Sequence, residues 1–118
     1  LPDDPRLTGV VGTAEHMPFD ADAFDAVIVT DAFHHFRDQP GAVAEFRRVV
    51  RPGGGVVVVD LDPTGVIMRA IVAGEKLLGE PGAFHTPADL CAFMAEHGIE
   101  GHCTPMSGVT YRFVGTVR

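Results

Sequence analysis

The chain has 118 residues, 46% of them apolar and 21% charged, and its sixteen carboxylates against nine lysines and arginines give a formal net charge of −7. That balance belongs to a folding globular chain rather than a disordered one. With Lys76 as the one lysine, it offers no basic stripe to neutralise phosphates, so no nucleic-acid partner is expected. The longest apolar runs, at 26–29 and 56–59, fall far short of the roughly 20 residues that span a bilayer. The acidic, proline-punctuated start is unlike a secretory signal. The cytoplasm is therefore the expected compartment, with Cys91 and Cys103 reduced. Because Leu1 rather than methionine opens the chain, it is expected to be a fragment or a processed product.

In chain order, Leu7 to Val11 is a short candidate strand, followed by Gly12-Thr13-Ala14-Glu15-His16-Met17-Pro18-Phe19 and an acidic turn. Phe24 to Thr30 is β-branched and almost continuously apolar, the pattern of a central strand buried on both faces of a parallel sheet. Asp38 can cap the next helix and Pro40 suits its first turn. Ala42, Val43, Phe46, Val49 and Val50 recur at helical spacing as its apolar stripe, leaving Glu45, Arg47, Arg48 and Arg51 to water. Pro52-Gly53-Gly54-Gly55 ends that helix, and Val56 to Asp60 is a second strand with an acid at its carboxyl end. Strand, helix and strand in succession predict a right-handed parallel crossover.

Thr64 to Leu78 is predicted as an amphipathic helix with Val66, Ile67, Ala70, Ile71, Gly74, Leu77 and Leu78 on one side, broken by Gly79-Glu80-Pro81-Gly82. Thr86, Pro87 and Asp89 together signal a helix start, Leu90, Phe93 and Met94 form the buried stripe, and Gly98 suits a left-handed cap. Ile99 to Met106 and Val109 to Val117, around Ser107-Gly108, read as an antiparallel hairpin.

An α/β domain hosts many chemistries, so residue patterns must decide. Three segments in order, Gly12 to Phe19, Phe24 to Phe36 (Phe-Asp-Ala-Val-Ile-Val-Thr-Asp-Ala-Phe-His-His-Phe) and Glu45 to Gly54 (Glu-Phe-Arg-Arg-Val-Val-Arg-Pro-Gly-Gly), resemble the type 11 methyltransferase family of class I enzymes, which depend on S-adenosylmethionine. The segment from His85 to Arg118 is similar to that family's last helix and hairpin. The resemblance implies a Rossmann-like α/β sheet ordered 3-2-1-4-5-7-6. Leu7 to Val11 would be strand 3, Phe24 to Thr30 strand 4 and Val56 to Asp60 strand 5, with the terminal hairpin supplying 6 and 7. Strands 1 and 2, with the glycine-rich loop and the acid that hold the cofactor's amino-acid end and ribose, are missing. Gly53-Gly54-Gly55 precedes a strand and cannot replace that loop.

The resemblance implies a cofactor site at Thr13, Ala14 and Glu15, beside the adenine, and at Val29, Thr30 and Phe33, near the methionine portion. Thr13 stands where the family usually has aspartate. His34 and His35 are the candidate catalytic residues, because imidazole titrates near neutrality and can take a proton from the attacking atom; the competing reading is that one packs while the other is solvated. Methyl transfer from a sulfonium is an in-line displacement in which alignment can supply most of the rate, so a base is not obligatory. A metal held by Asp31, His34, His35 and Asp60 is not expected, since adjacent histidines point apart, and Cys91 has no neighbouring base in sequence to make it a nucleophile. Phe33, Phe36, Met68 and Phe84 are candidates for a substrate pocket or for core.

The expected function is methyl transfer to a small-molecule acceptor when the domain is complete, with weak or no cofactor binding by this chain alone. The alternative is a non-catalytic, methyltransferase-like half-domain acting as a scaffold or oligomerisation module. Either way the chain is expected to form a homo-oligomer or to pair with a missing N-terminal segment.

Overall fold

The structure is a computed structural model that describes residues 3–79 and 83–118; the break expected at Glu80 to Gly82 lies outside them. Its centre is a four-stranded sheet ordered β1-β2-β4-β3, made from β1 (Phe24–Thr30), β2 (Val50–Leu61), β3 (Ile99–Pro105) and β4 (Thr110–Val117). β1 and β2 are parallel, with Val27 opposite Val56 and Val29 opposite Val58. β4 runs antiparallel to both β2 and β3. This is the expected 4-5-7-6 half of the class I sheet, and among the described residues one edge of β1 has no partner strand.

Three helices complete the fold: α1 (Gln39–Val49), α2 (Val66–Leu77) and α3 (Pro87–Glu96). α1 starts where the Asp38 side chain accepts the Gly41 amide at 2.9 Å, and α3 where the Thr86 hydroxyl accepts the Asp89 amide at 3.1 Å, so both starts follow the capping chemistry in the sequence. The α1 stripe of Ala42, Val43, Phe46 and Val49 and the α3 pair Leu90 and Met94 are buried against Val56, Val58, Tyr111 and Phe113 on one face of the sheet. Burying a phenylalanine such as Phe46 contributes about 1.5–3 kcal/mol. On the opposite face Ile28, Val57 and Val114 stand in register, and Ile28 is 71% exposed. The central strand thus has one covered face rather than two.

Three expectations change. Leu7 to Val11 is not a strand: it runs outside the sheet with Val11 fully open to solvent. Its apolar residues find no neighbouring strand among the described residues, and a strand's backbone groups need one. Pro52 to Gly55 do not end the helix, which stops at Val49; they lie inside β2, which starts at Val50, and form a bulge where Phe24 pairs with Val50 and Ala26 with Gly55. Gly53 there takes a φ of +81°, a left-handed conformation open to glycine at little cost. On α2 the apolar side is uncovered; Met68 is the helix's buried residue, while Val66, Ile67 and Leu77 are exposed. Among the described residues no helix is long and apolar enough to cross a membrane.

Candidate functional site

Ligands of open α/β sheets collect at the carboxyl ends of the parallel strands, and the polar side chains of this chain converge there. β1 ends in a sharp turn at Asp31, which takes a left-handed φ of 54°, an uncommon conformation for a residue with a side chain and a reason to look for function. The Asp31 amide donates to the Val59 carbonyl at 2.8 Å, tying the turn to β2. A single 3₁₀ turn over Phe33–His35 follows.

Asp60, at the carboxyl end of β2, receives that turn. One of its oxygens accepts the His34 backbone amide at 3.1 Å; the other accepts the Leu61 amide at 2.8 Å and lies 2.7 Å from His34 Nδ1. A carboxylate only accepts, so Nδ1 carries the hydrogen of this contact. Both side chains are about 95% buried. Phe84 stacks on the His34 ring at 4.3 Å. His35 lies outside this arrangement, exposed on the rim with its ring 4.0 Å from that of His34. The two candidate catalytic histidines therefore divide: His34 is an anchored, packed side chain, and His35 is the one solvent reaches.

Gln39, the first residue of α1, brackets the same turn. Its amide nitrogen donates to the Phe33 carbonyl at 3.1 Å and the Ala83 carbonyl at 2.9 Å, leaving its oxygen to accept from His85 Nε2 at 2.8 Å. Burial pushes the His85 pKa below the ordinary imidazole value. Tyr111, whose pKa burial pushes up, donates its hydroxyl to the His85 carbonyl at 2.8 Å.

The loop preceding β1 is held by a clamp that sequence patterning missed. Glu45 and Arg48 were expected to face water, yet Glu45 accepts the Met17 amide at 2.8 Å, while Arg48 donates to the Phe19 carbonyl at 2.7 Å and the Met17 carbonyl at 3.0 Å. The two side chains also pair with each other at 2.7 Å. The Arg48 guanidinium, with the Met17 amide second, draws the Glu45 pKa from 4.5 to about 2. Glu45 and Arg48 thereby seat the loop Thr13 to Phe19 on α1.

That seating brings some of the expected cofactor residues together. Ala14 and Val29 line one apolar groove of about 310 Å³ that runs along the unpaired edge of β1, with Met17, Phe19, Ile28 and Phe36. Thr13 and Ala14 line an adjoining hollow. Glu15 is half-buried beside the start of α1. Two candidates stand apart: Thr30 points from the uncovered sheet face, and Phe33 is 1% exposed, packed in the core against Phe36 and Phe93. Of the pocket candidates, Met68 is also core, Phe36 reaches the groove and Phe84 covers His34.

Asp31, His34 and Asp60 place ligand atoms within 4.8 Å of one another, without His35. Asp60 already accepts from three donors, so a cation there would have to displace them. For S-adenosylmethionine the fit is one-sided. The groove offers an apolar floor and Thr13 a hydroxyl, but these residues include no strand-to-helix glycine turn to hold a carboxylate or a ribose.

Residues 2–58 match the family model described as methyltransferase domain. The chain is 43% identical over 63 residues to the phthiotriol/phenolphthiotriol dimycocerosates methyltransferase of Mycobacterium leprae, covering 53% of this chain and 23% of that protein. It is 36% identical over 73 residues to the demethylmenaquinone methyltransferase of Mycolicibacterium paratuberculosis, covering 62% of this chain and 32% of that one. The match thus spans a quarter to a third of these relatives. A solved Thermotoga maritima S-adenosylmethionine-dependent methyltransferase, described as a possible histamine N-methyltransferase, superposes with a TM-score of 0.79 at 20% identity, over 91% of this chain and 62% of its own. The Haloferax volcanii complex of a putative methyltransferase with the Trm112 methyltransferase activator gives 0.83 at 17% identity, over 98% and 63%. Identities this low speak for the fold alone.

Proposed function

We propose that the chain, whose residues 2–58 match the methyltransferase domain family model and whose sheet has the order of strands 4, 5, 7 and 6 of the class I methyltransferase fold, forms one wall of an S-adenosylmethionine site and the base of the acceptor pocket in a small-molecule methyltransferase. The observation that carries this reading is the shared groove: Ala14, from the clamped loop, and Val29, from β1, line one apolar trough along the strand's open edge. A strand bearing a glycine-rich turn, laid into that trough, completes the cofactor site. Thr13, Ala14 and Glu15 border the adenine, and Val29 the methionine portion, with Thr30 turned away on the uncovered face of the sheet. Phe33 acts from beneath, by packing under the turn.

When bound, S-adenosylmethionine supplies an electrophilic methyl group on a sulfonium. The chain's own contribution is alignment, which can lower a displacement barrier by several kcal/mol. Asp60 and His34 hold the turn that ends β1, Gln39 fixes its far side, and Glu45 with Arg48 fixes the adenine loop. His35, exposed on the rim, is the histidine positioned to accept a proton from the acceptor. The hollow between the ends of β2 and β4, of about 240 Å³ and lined by Asp62, Thr64 and Tyr111, is the proposed acceptor side.

Ultraviolet crosslinking of S-adenosylmethionine to the full-length protein tests this. Label in peptides spanning 13–19 or 26–36 is expected, and label confined to other peptides overturns the assignment. A second reading, favoured by the unpaired edge of β1, is a non-catalytic module in which that edge serves only for association. It predicts no label anywhere.

A further inference from the structure

The chain has two cysteines, neither of which lines the groove along β1, and the fold brings them together. Cys91 sits in the middle of α3 and Cys103 on β3, the outer strand of the sheet; the turn between them passes through Gly98, whose φ of +84° reverses the chain. Their sulfurs are 3.2 Å apart, with the Cys91 thiol directed at Cys103 and the Cys103 thiol at the Pro87 carbonyl, also 3.2 Å away. Both are free and half-buried. Sulfurs in such contact, on two packed elements at a sheet edge, need only a small movement to bond.

We propose that Cys91 and Cys103 form a thiol oxidation site, which a small disulfide such as oxidised glutathione converts into an intramolecular disulfide tying α3 to β3. The roles of the two differ. The Cys103 thiol is held by the Pro87 carbonyl, and burial, with Cys91 as the next cause, pushes it up to about 12; both disfavour its thiolate, and the first attack is assigned to Cys91, with Cys103 resolving. Cys91 gives up its proton and attacks a sulfur of the glutathione disulfide; that bond breaks and one glutathione leaves, protonated by solvent. Cys103 then loses its proton to water and attacks the Cys91 sulfur, and the second glutathione leaves. Two protein thiols are oxidised and one glutathione disulfide is reduced to two thiols. The bridge would stiffen the helix that carries Phe93, whose ring packs on Phe33 below the β1 turn.

Mass spectrometry of the reduced chain after exposure to oxidised glutathione, at mildly alkaline pH, is the test. The expected product is a monomer lighter by two hydrogens, with no retained glutathione, no titratable thiol and a raised thermal midpoint. Cys103→Ser should instead retain one glutathione, on Cys91, and Cys91→Ser should retain none while folded. Two thiols still titratable when an unfolded control is fully oxidised, glutathione stably held by the wild-type chain, or chiefly intermolecular bridges would each overturn the proposal. Should a serine variant fail to fold by circular dichroism, the wild-type masses decide alone.

Discussion

Replacing Glu45 by alanine probes the clamp that seats the loop from Thr13 to Phe19. The variant loses the acceptor of the Met17 amide and both contacts to Arg48, at 2.7 and 2.9 Å. A hydrogen bond to a charged group contributes about 1.5–3 kcal/mol. The Glu45 and Arg48 side chains are 16% and 37% exposed, however, and exposed helical pairs add only about 0.3–0.5 kcal/mol. The expected loss is therefore about 1.5–2.5 kcal/mol, which for a chain of this size lowers the thermal midpoint by about 6–12 °C. The pH dependence follows from the direction of the shift. Because the folded pKa of Glu45 is depressed from 4.5 to about 2, its contribution is full above the unfolded value and disappears as pH falls through that interval. Urea unfolding of wild type and Glu45→Ala should give curves well separated at neutral pH that converge toward pH 2. A neutral-pH difference below about 0.5 kcal/mol, or one that persists undiminished in acid, would refute the role given to this carboxylate.

Asp60→Asn turns one of the two oxygens that accept the His34 and Leu61 amides into an NH2 group, and about 1–3 kcal/mol of stability should be lost for the buried amide left without an acceptor; an unchanged urea midpoint would mean that these contacts contribute little. In a complete, active form Thr13→Asp should tighten S-adenosylhomocysteine binding by about 0.5–1.5 kcal/mol through a restored acceptor for the adenine amino group. Calorimetry checks this, and no change would place Thr13 away from the adenine. The open edge of β1 and the exposed Ile28 beside it should make the 118-residue chain self-associate, since an unpaired strand edge is a template for another. Sedimentation equilibrium giving a clean monomer at high micromolar concentration would rule that out.

The elements legible in the sequence were those whose causes are local. The stripe from Ala42 to Val49, the Thr86 cap and the hairpin at Gly108 depend on periodicity and turn chemistry within a few residues. Leu7 to Val11 misled because apolar character records a wish for cover, and here the strand that would give it is not among the described residues. The uncovered stripe of α2 has the same origin. Glu45 and Arg48 were placed on the solvent side by helical spacing, and their partners are backbone groups of Met17 and Phe19, far back along the chain, which periodicity cannot reveal. The paired histidines were visible as a motif, but which of them is buried depends on Asp60 at the end of β2. The reach of Cys91 to Cys103 likewise depended on how α3 packs on β3.

The most direct test is calorimetric titration with S-adenosylhomocysteine of two proteins: the 118-residue chain, and the same chain joined to the first strand and glycine-rich loop of a class I methyltransferase. No micromolar binding by the chain alone and micromolar binding by the extended form are expected, because Thr13 to Glu15 and Val29 supply one wall of the proposed site, whose anion-holding turn comes from elsewhere. Micromolar binding by the chain alone, or none by the extended form, would contradict this.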